Sequence, residues 1–565
     1  MSSPLFPEPP PAIDPTPVDA LDRAAERLTA RKQDWATLGI PRRVDYLRRI
    51  IDGLMEVAPA WVADGCRNKG IPLGDALAGE EWLTGPVTTV RNARLLLEAL
   101  EHGGAPKPPA LHTRPDGQVV ARVFPTNLQD RLMFAGTSAE VRILPGKPAT
   151  QGRIYRESGG SGAVCLILGA GNVSSIPPMD ALHKLFVENE VCLIKMNPVN
   201  EWVGPHLERA FRCLIDDGFM AIVYGGIEVG KHLTDHPSVD TLHVTGSDRT
   251  YDAIVWGTDP EERARRKAAG DRLNERPFTA ELGCVTPVIV VPGQWSEADL
   301  DYQARSVAGM VTQNASFNCN AAKVVVTDKA WPQREAFLER LRSVLAGSRP
   351  RKAYYPGAEA RYSGFLDYYP DAERLGREGD DIVPWTLIPD VPPEAGEYAL
   401  TNEAFCGVLA ETSLEGGSAA AFLNQAVQFA NDDCWGTLSC MLIIDPRTEK
   451  ANKAALERAL DELRYGGIAV NGWAGLVYGL CVTTWGAYPG HPPEDIRSGV
   501  GVVHNTFLFD HPEKSIVRQP FRQIPPPIWF DSHRSLSLLG QKLLEMEASP
   551  GWGRLAGVAL AGIKA

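Results

Sequence analysis

At 565 residues, with 44% hydrophobic and 22% charged side chains, the chain has the make-up of a folded protein of two or three domains, and wholesale disorder is excluded. A net charge of −13 and the lack of a long Lys/Arg run exclude a nucleic-acid binder, whose phosphate contacts need a concentrated basic face. The ten cysteines form no Cys-x-x-Cys pair and have no histidine pair nearby, so neither a zinc or other metal site nor a disulfide framework is expected.

Residues 1–17 are proline-rich and acidic and read as a flexible or extended arm, because proline removes helix options. The arm lacks the basic-then-apolar order of a secretory signal, and no run of eighteen apolar residues occurs anywhere. A cytoplasmic protein without a membrane span is therefore expected. Residues 18–104 place apolar side chains at three-to-four spacing, as in "RRVDYLRRIIDGLMEVAPAWVADGC", and predict helices; a proline-rich connector follows at 103–117.

From 161 the pattern becomes strand and helix in alternation: "GAVCLILGAGN", "PPMDALHKLFVENE", "VCLIKMNP", "GPHLERAFRCLIDDG", "MAIVYGG" and "TLHVTGS". Short apolar strands separated by helices predict βαβ units and a parallel sheet covered on both faces. A second α/β series starts near 281 with "ELGCVTPVIVVPG", a helix over 297–312 and the strand "AKVVVTD", and runs on to "NGW". The expected division is an N-terminal arm (1–17), a nucleotide-binding domain with N-terminal helices (18–280), a catalytic domain (281–480) and a C-terminal segment (481–565) with a bridging strand near 514–522.

Glycines recur where the first strands end, in "GAGN", "GG" and "TGS", and ligands of open parallel sheets bind outside those ends. The G-x-G-x-x-G pattern is absent. In "QNASFNCNAAKVVVT", Cys319 stands between two asparagines just before a β-branched run, which puts a thiol at an element junction. Such a thiol is either a buried small hydrophobe or a nucleophile within reach of backbone N–H groups and a cleft. The basic cluster "RARRK" (263–267) reads as a solvated helix face, with phosphate recognition as the alternative.

The ordered set "LGAGNVSSIPPMDALHKLF", "LIKMNP", "GGIEVGKHLTDHPSVDTLHVTGS", "FTAELGCVTPVIV", the Cys319 stretch, "NEAFCGVLAE" and "LRYGGIAVN" resembles the aldehyde dehydrogenase superfamily from about residue 161 to about 480. The resemblance implies that fold: a Rossmann-type nucleotide-binding domain, an α/β catalytic domain and a small oligomerisation arm. It implies an NAD- or NADP-dependent oxidoreductase acting on a small-molecule aldehyde. Cys319 would be the nucleophile, Glu281 the general base, and Asn172 an oxyanion donor together with the Cys319 N–H. Lys195 would hold the adenosine ribose, Gly246 and Ser247 the pyrophosphate, and Glu403 the nicotinamide ribose, with Phe405 beside the nicotinamide. "KSIVRQPFR" matches the late oligomerisation strand, which implies a homodimer or homotetramer.

The chain also departs from that pattern. The usual Gly-Gln pair ahead of the nucleophile is Ser316-Phe317, and the glycine four residues after the pyrophosphate serine is Tyr251. Gly-Pro after the ribose glutamate becomes Cys406-Gly407, and Pro198 replaces the carboxylate common in NAD-preferring members, which removes a bar to NADP. Phe317 and Trp473 are candidates for an apolar substrate tunnel. Pro198 is shared with coenzyme A-acylating relatives, whereas Glu281 argues for water as acyl acceptor. A non-catalytic nucleotide-binding scaffold is the third reading. The C-terminal "GWGRLAGVALAGIKA" reads as a packed helix, with membrane association as its alternative.

Overall fold

The computed structural model describes all residues except 1, 2, 4, 5, 10, 158, 159, 564 and 565, and holds two main sheets besides a two-stranded one that pairs Trp485–Gly486 with Val502–Val503. The smaller one has five parallel strands, in spatial order Phe278–Leu282, Thr241–Gly246, Ala163–Leu168, Glu190–Lys195 and Met220–Val223. Gly499–Val500 is added antiparallel at its edge. These strands are the short apolar runs legible in the sequence, and their middle residues are buried because helices cover them. The chain leaves Ala163–Leu168 toward one edge of the sheet and returns to build toward the other. The topological switch point, where open α/β sheets bind ligands, thus lies between Leu168 and Gly246.

The larger sheet has eleven strands. Its parallel centre includes Thr286–Val290, Ala322–Asp328, Val408–Leu414, Ser439–Ile443 and Gly467–Val470. Ala322–Asp328 is buried at every position, as its run of valines predicts. Pro512–Arg518 joins Gly467–Val470 in parallel and Ser138–Ile143 antiparallel. It thereby carries Val119–Phe124 and the exposed outer strand Ala110–Thr113 into the same sheet. Both edges of the 512–518 strand are therefore taken within the chain, and it has no free edge for pairing with another copy.

The chain passes from the first sheet to the second through 283–285. The boundary expected at 281 thus falls inside a strand, because "ELGCVTPVIVV" is one apolar run in sequence but two strands in space. Helices Val18–Ala36, Ile40–Asn68 and Thr88–Glu101 pack on the smaller sheet around Trp35, Trp61 and Leu96. Helix Leu536–Ala548 closes against them, with Glu547 paired to Arg91 and Arg94, each at 2.6 Å. The C-terminal run forms helix Trp552–Ile563 and packs on helix Leu536–Ala548. Among the described residues no helix is long and apolar enough to cross a membrane.

Candidate active site

Helix Glu297–Thr312 opens with a Ser296/Asp299 capping box and runs out directly beneath Cys319. Beyond it Asn314, Ala315 and Ser316 take φ of 53°, 54° and 68°. Each of these left-handed non-glycine residues costs about 1–2 kcal/mol, so the turn persists only if its surroundings hold it. Ser316 occupies one of the left-handed positions, which accounts for the glycine otherwise expected there.

The holding groups are buried and reach in from distant segments. The Asn314 side-chain carbonyl accepts from Lys69 Nζ and the Tyr354 hydroxyl, both at 3.0 Å. Its amide donates to the carbonyls of Asn172 (3.2 Å) and Phe317 (3.1 Å) and to Asn318 Oδ1 (3.1 Å). Lys69 is itself paired with Glu81 at 2.8 Å. On the other side Lys323 Nζ donates to the carbonyls of Cys319 (2.9 Å) and Asn318 (3.1 Å) and lies 3.1 Å from the Glu403 carboxylate. Trp473 Nε1 donates to Asn320 O at 2.9 Å. The nucleophile loop is thus pinned before and after the thiol.

Cys319 is half-buried, and the Glu281 carboxylate lies close enough to its thiol for each to bear on the other's titration. Glu281 ends the smaller sheet's last strand and is fully enclosed. Burial pushes its pKa up to about 8, against the opposing hydrogen bonds from Cys319 and from Trp485 Nε1 at 3.3 Å. Burial first, and the Glu281 charge second, hold the thiol well above its ordinary range, while the Lys323 ammonium pulls it down. Asn172 follows the first strand, and its Nδ2 donates to Phe317 O at 2.9 Å, two residues from the thiol. A carboxamide carries two N–H donors, so the second is left for an oxygen at the thiol.

The cofactor candidates line the switch point. Lys195 closes its strand half-buried, forms no side-chain hydrogen bond among the described residues, and is lowered to about 8 by desolvation. Ser247 caps helix Asp248–Val255, accepting from Arg249 N at 3.1 Å, so the helix N-terminus and exposed Gly246 face the cleft. Glu403 is buried with Lys323, and burial raises its pKa. A Cβ on Gly283 would meet its carboxylate, so a larger residue there would displace the Glu403 side chain. Phe405 packs with Phe317 and Tyr355, ring centroids 5.8 and 5.1 Å away. A dinucleotide fits this donor set: an uncommitted ammonium, a helix N-terminus and a buried carboxylate, set in sequence along one cleft.

Several expectations are corrected. Trp473 belongs to the core behind the large sheet, against Trp529, and does not line a tunnel. Tyr251 turns inward onto Phe278 (5.0 Å) and stays clear of the helix N-terminus. The "RARRK" stretch, by contrast, is the solvated helix face expected of it, its charges paired with Glu262, Asp252 and Asp271 around helix Pro260–Ala269. Three residues after Pro198, Glu201 is buried near Lys195 with its Oε2 unpartnered. Sequence reasoning missed Lys69, Tyr354, Lys323, Trp485 and Glu201. Only Lys323, a lysine inside the apolar run "AAKVVV", carried a signal of its own. A cavity of about 530 Å³ lies elsewhere, between 150–157 and 487–513, and none of the site residues lines it.

The profile of the aldehyde dehydrogenase family matches residues 140–358. A 1-pyrroline-5-carboxylate dehydrogenase from Geobacillus sp. (strain WCH70) is 25% identical over 269 residues, covering 45% of this chain and 47% of the relative. The match thus spans about half the length of such curated relatives. Among solved structures, the aldehyde dehydrogenase KauB from Pseudomonas aeruginosa superposes with a TM-score of 0.62 at 16% identity, over 89% of this chain and 90% of its own. An NADP-dependent glyceraldehyde-3-phosphate dehydrogenase from Bacillus halodurans C-125, complexed with NADP, gives a TM-score of 0.59 at 17% identity, over 88% and 91%. At those identities the likeness shows the fold.

Proposed function

We propose, on that match and that fold, that the chain is a divergent member of the aldehyde dehydrogenase superfamily and that it oxidises an aldehyde to a carboxylic acid with NAD or NADP as hydride acceptor. What carries this reading is the proximity of the enclosed Glu281 carboxylate to the Cys319 thiol, together with the Asn172 amide bound to the nucleophile loop at Phe317 O. Glu281 takes the thiol proton, and the sulfur adds to the aldehyde carbon. Negative charge then grows on oxygen, where Asn172 Nδ2–H and the Cys319 N–H can donate; one such donor contributes roughly 3–4 kcal/mol.

Lys195, Gly246, Ser247, Glu403 and Phe405 would hold the dinucleotide, which when bound would supply the hydride acceptor. Cys319 is left carrying an acyl thioester. Glu281, once it has shed the thiol's proton, takes a proton from water, which attacks the acyl carbon and frees the thiol. With its pKa near 8, the group is ionised in useful amounts at the pH where it must also bind a proton.

Glu281 at the thiol supports water over coenzyme A as acyl acceptor, and the full set of polar groups speaks against a non-catalytic scaffold. Glu201 supports NAD over NADP, because a buried carboxylate accepts from ribose hydroxyls and repels a phosphate. A homodimer or homotetramer would have to form through surfaces other than the 512–518 strand. The test is nucleotide reduction, followed by absorbance, with a panel of aliphatic and aromatic aldehydes, NAD or NADP, and coenzyme A present or absent. Turnover without coenzyme A is expected; turnover only with it would overturn the hydrolytic reading, and failure of every combination would overturn the activity for those substrates.

A further inference from the structure

The cleft is filled by the protein's own N-terminal arm. At its inner end Ser3 is fully buried: its N–H donates to Asp248 Oδ1 at 2.9 Å and its carbonyl accepts from Arg249 Nε at 2.8 Å. These are the first two residues of the helix capped by Ser247. The Phe6 ring stands edge-on to Phe405 and Tyr355, each at 5.2 Å, with the Arg361 guanidinium 5.3 Å from its centroid. Pro7 closes on Gly357. The Glu8 carboxylate lies so tightly on Gly226 that a Cβ there would collide with it, and its charge reaches Lys195. Farther out, the N–H groups of Ala12 and Ile13 donate to Glu201 Oε1, the latter at 2.8 Å, and Thr16 exchanges two hydrogen bonds with Tyr224.

An aromatic ring sits at the aromatic wall, an acid faces the free ammonium, N–H donors meet the buried carboxylate, and a peptide group spans the helix start. From this succession we propose that the arm is an intrachain competitor of the dinucleotide, which must peel from the cleft before a cofactor can bind. The proposal rests on the reading of the cleft as a dinucleotide site. The arm suits such a role because its described residues make no hydrogen bonds with one another, as its proline content favours, while Glu8 and residues 11, 12, 14 and 15 remain solvent-exposed. It is anchored where it meets helix Val18–Ala36 and can peel from the cleft without leaving the fold. If the arm covers the cleft nine-tenths of the time, apparent nucleotide affinity falls about tenfold.

The test compares the full chain with a chain lacking residues 1–9, by calorimetric titration with NAD and with NADP. Ala12, Ile13 and Thr16 are retained, so the anchor is unchanged. The truncated chain is expected to bind at least one nucleotide about tenfold more tightly. A synthetic peptide of residues 1–16 should displace the nucleotide from it, and Phe6→Ala in the full chain should shift affinity in the same direction by less. Equal or weaker binding after truncation overturns the proposal and leaves the dinucleotide reading standing. Peptide binding to the truncated chain, with neither nucleotide binding to either form, overturns the dinucleotide reading and the proposal with it.

Discussion

The turn that carries Cys319 and the arm that lies in the neighbouring cleft solve opposite problems. The turn is locally unfavourable, with three left-handed residues in a row, yet four groups from outside it hold the loop, most of them through the Asn314 side chain: Lys69, Asn172, Lys323 and Tyr354. The arm is locally unstrained and half exposed, and a handful of polar contacts and one phenyl ring hold it. Reacting atoms are thus held where error would be costly, whereas the neighbouring cleft is covered by something exchangeable.

The comparison can be broken most decisively at the thiol. Cys319→Ala is expected to abolish turnover while thermal unfolding stays close to that of the unaltered chain; retained turnover would remove the nucleophile assignment. Glu281→Gln should lower steady-state turnover by about 10²–10⁴ and let the acyl-enzyme accumulate, visible by intact mass after a single addition of aldehyde. In the unaltered chain activity should rise with pH through about 8, and the Gln variant should lose that limb.

Stability changes in the opposite sense. Glu281 has a folded-state pKa above its unfolded value of 4.5, so the folded state keeps a proton that the unfolded chain gives up between pH 4.5 and about 8. Stability therefore falls as pH rises across that window, by up to roughly 5 kcal/mol, and Glu281→Gln should flatten the dependence in denaturant titrations.

A smaller effect is expected from Asn314→Ala, which leaves Lys69 and Tyr354 without their acceptor and puts alanine at φ 53°. A loss of about 2–4 kcal/mol in stability should accompany a fall in kcat at nearly unchanged KM for nucleotide; a fall in nucleotide affinity alone would show that turn and cleft are not held separately. Smallest is Ser316→Gly, which relieves a left-handed serine and should stabilise by up to about 1 kcal/mol without altering turnover.

The two regions were also unequally legible. The strands and helix 297–312 could be read because their patterns are local: "AKVVVTD" has nowhere to go but a sheet interior. Cys319, Glu281 and Asn172 stand at or near the ends of such elements, where motif order can propose them as a set. Lys69 could not be found that way, since it belongs to a helix more than two hundred residues earlier and only the fold brings it to Asn314. Nor could the split of "ELGCVTPVIVV" between two sheets, because periodicity reports burial and not which neighbour provides it. The arm is the plainest case. Its prolines announce an extended segment truthfully, but the surface that an extended segment lies on is not written in its own composition.

The strand at 512–518 carries a consequence for how the chain comes to be folded. Among the described residues it is the only strand that links the outer strands of 110–143 to the parallel centre of the large sheet. During synthesis those early strands must therefore wait, with the Ser138–Ile143 edge open, until the chain beyond residue 512 has emerged. Such a long-range closure is slow, and an open edge invites pairing with another chain. A ribosome that stops just short of residue 512 would leave the sheet unstitched, so residues 512–518 decide whether 110–143 are ever locked in place.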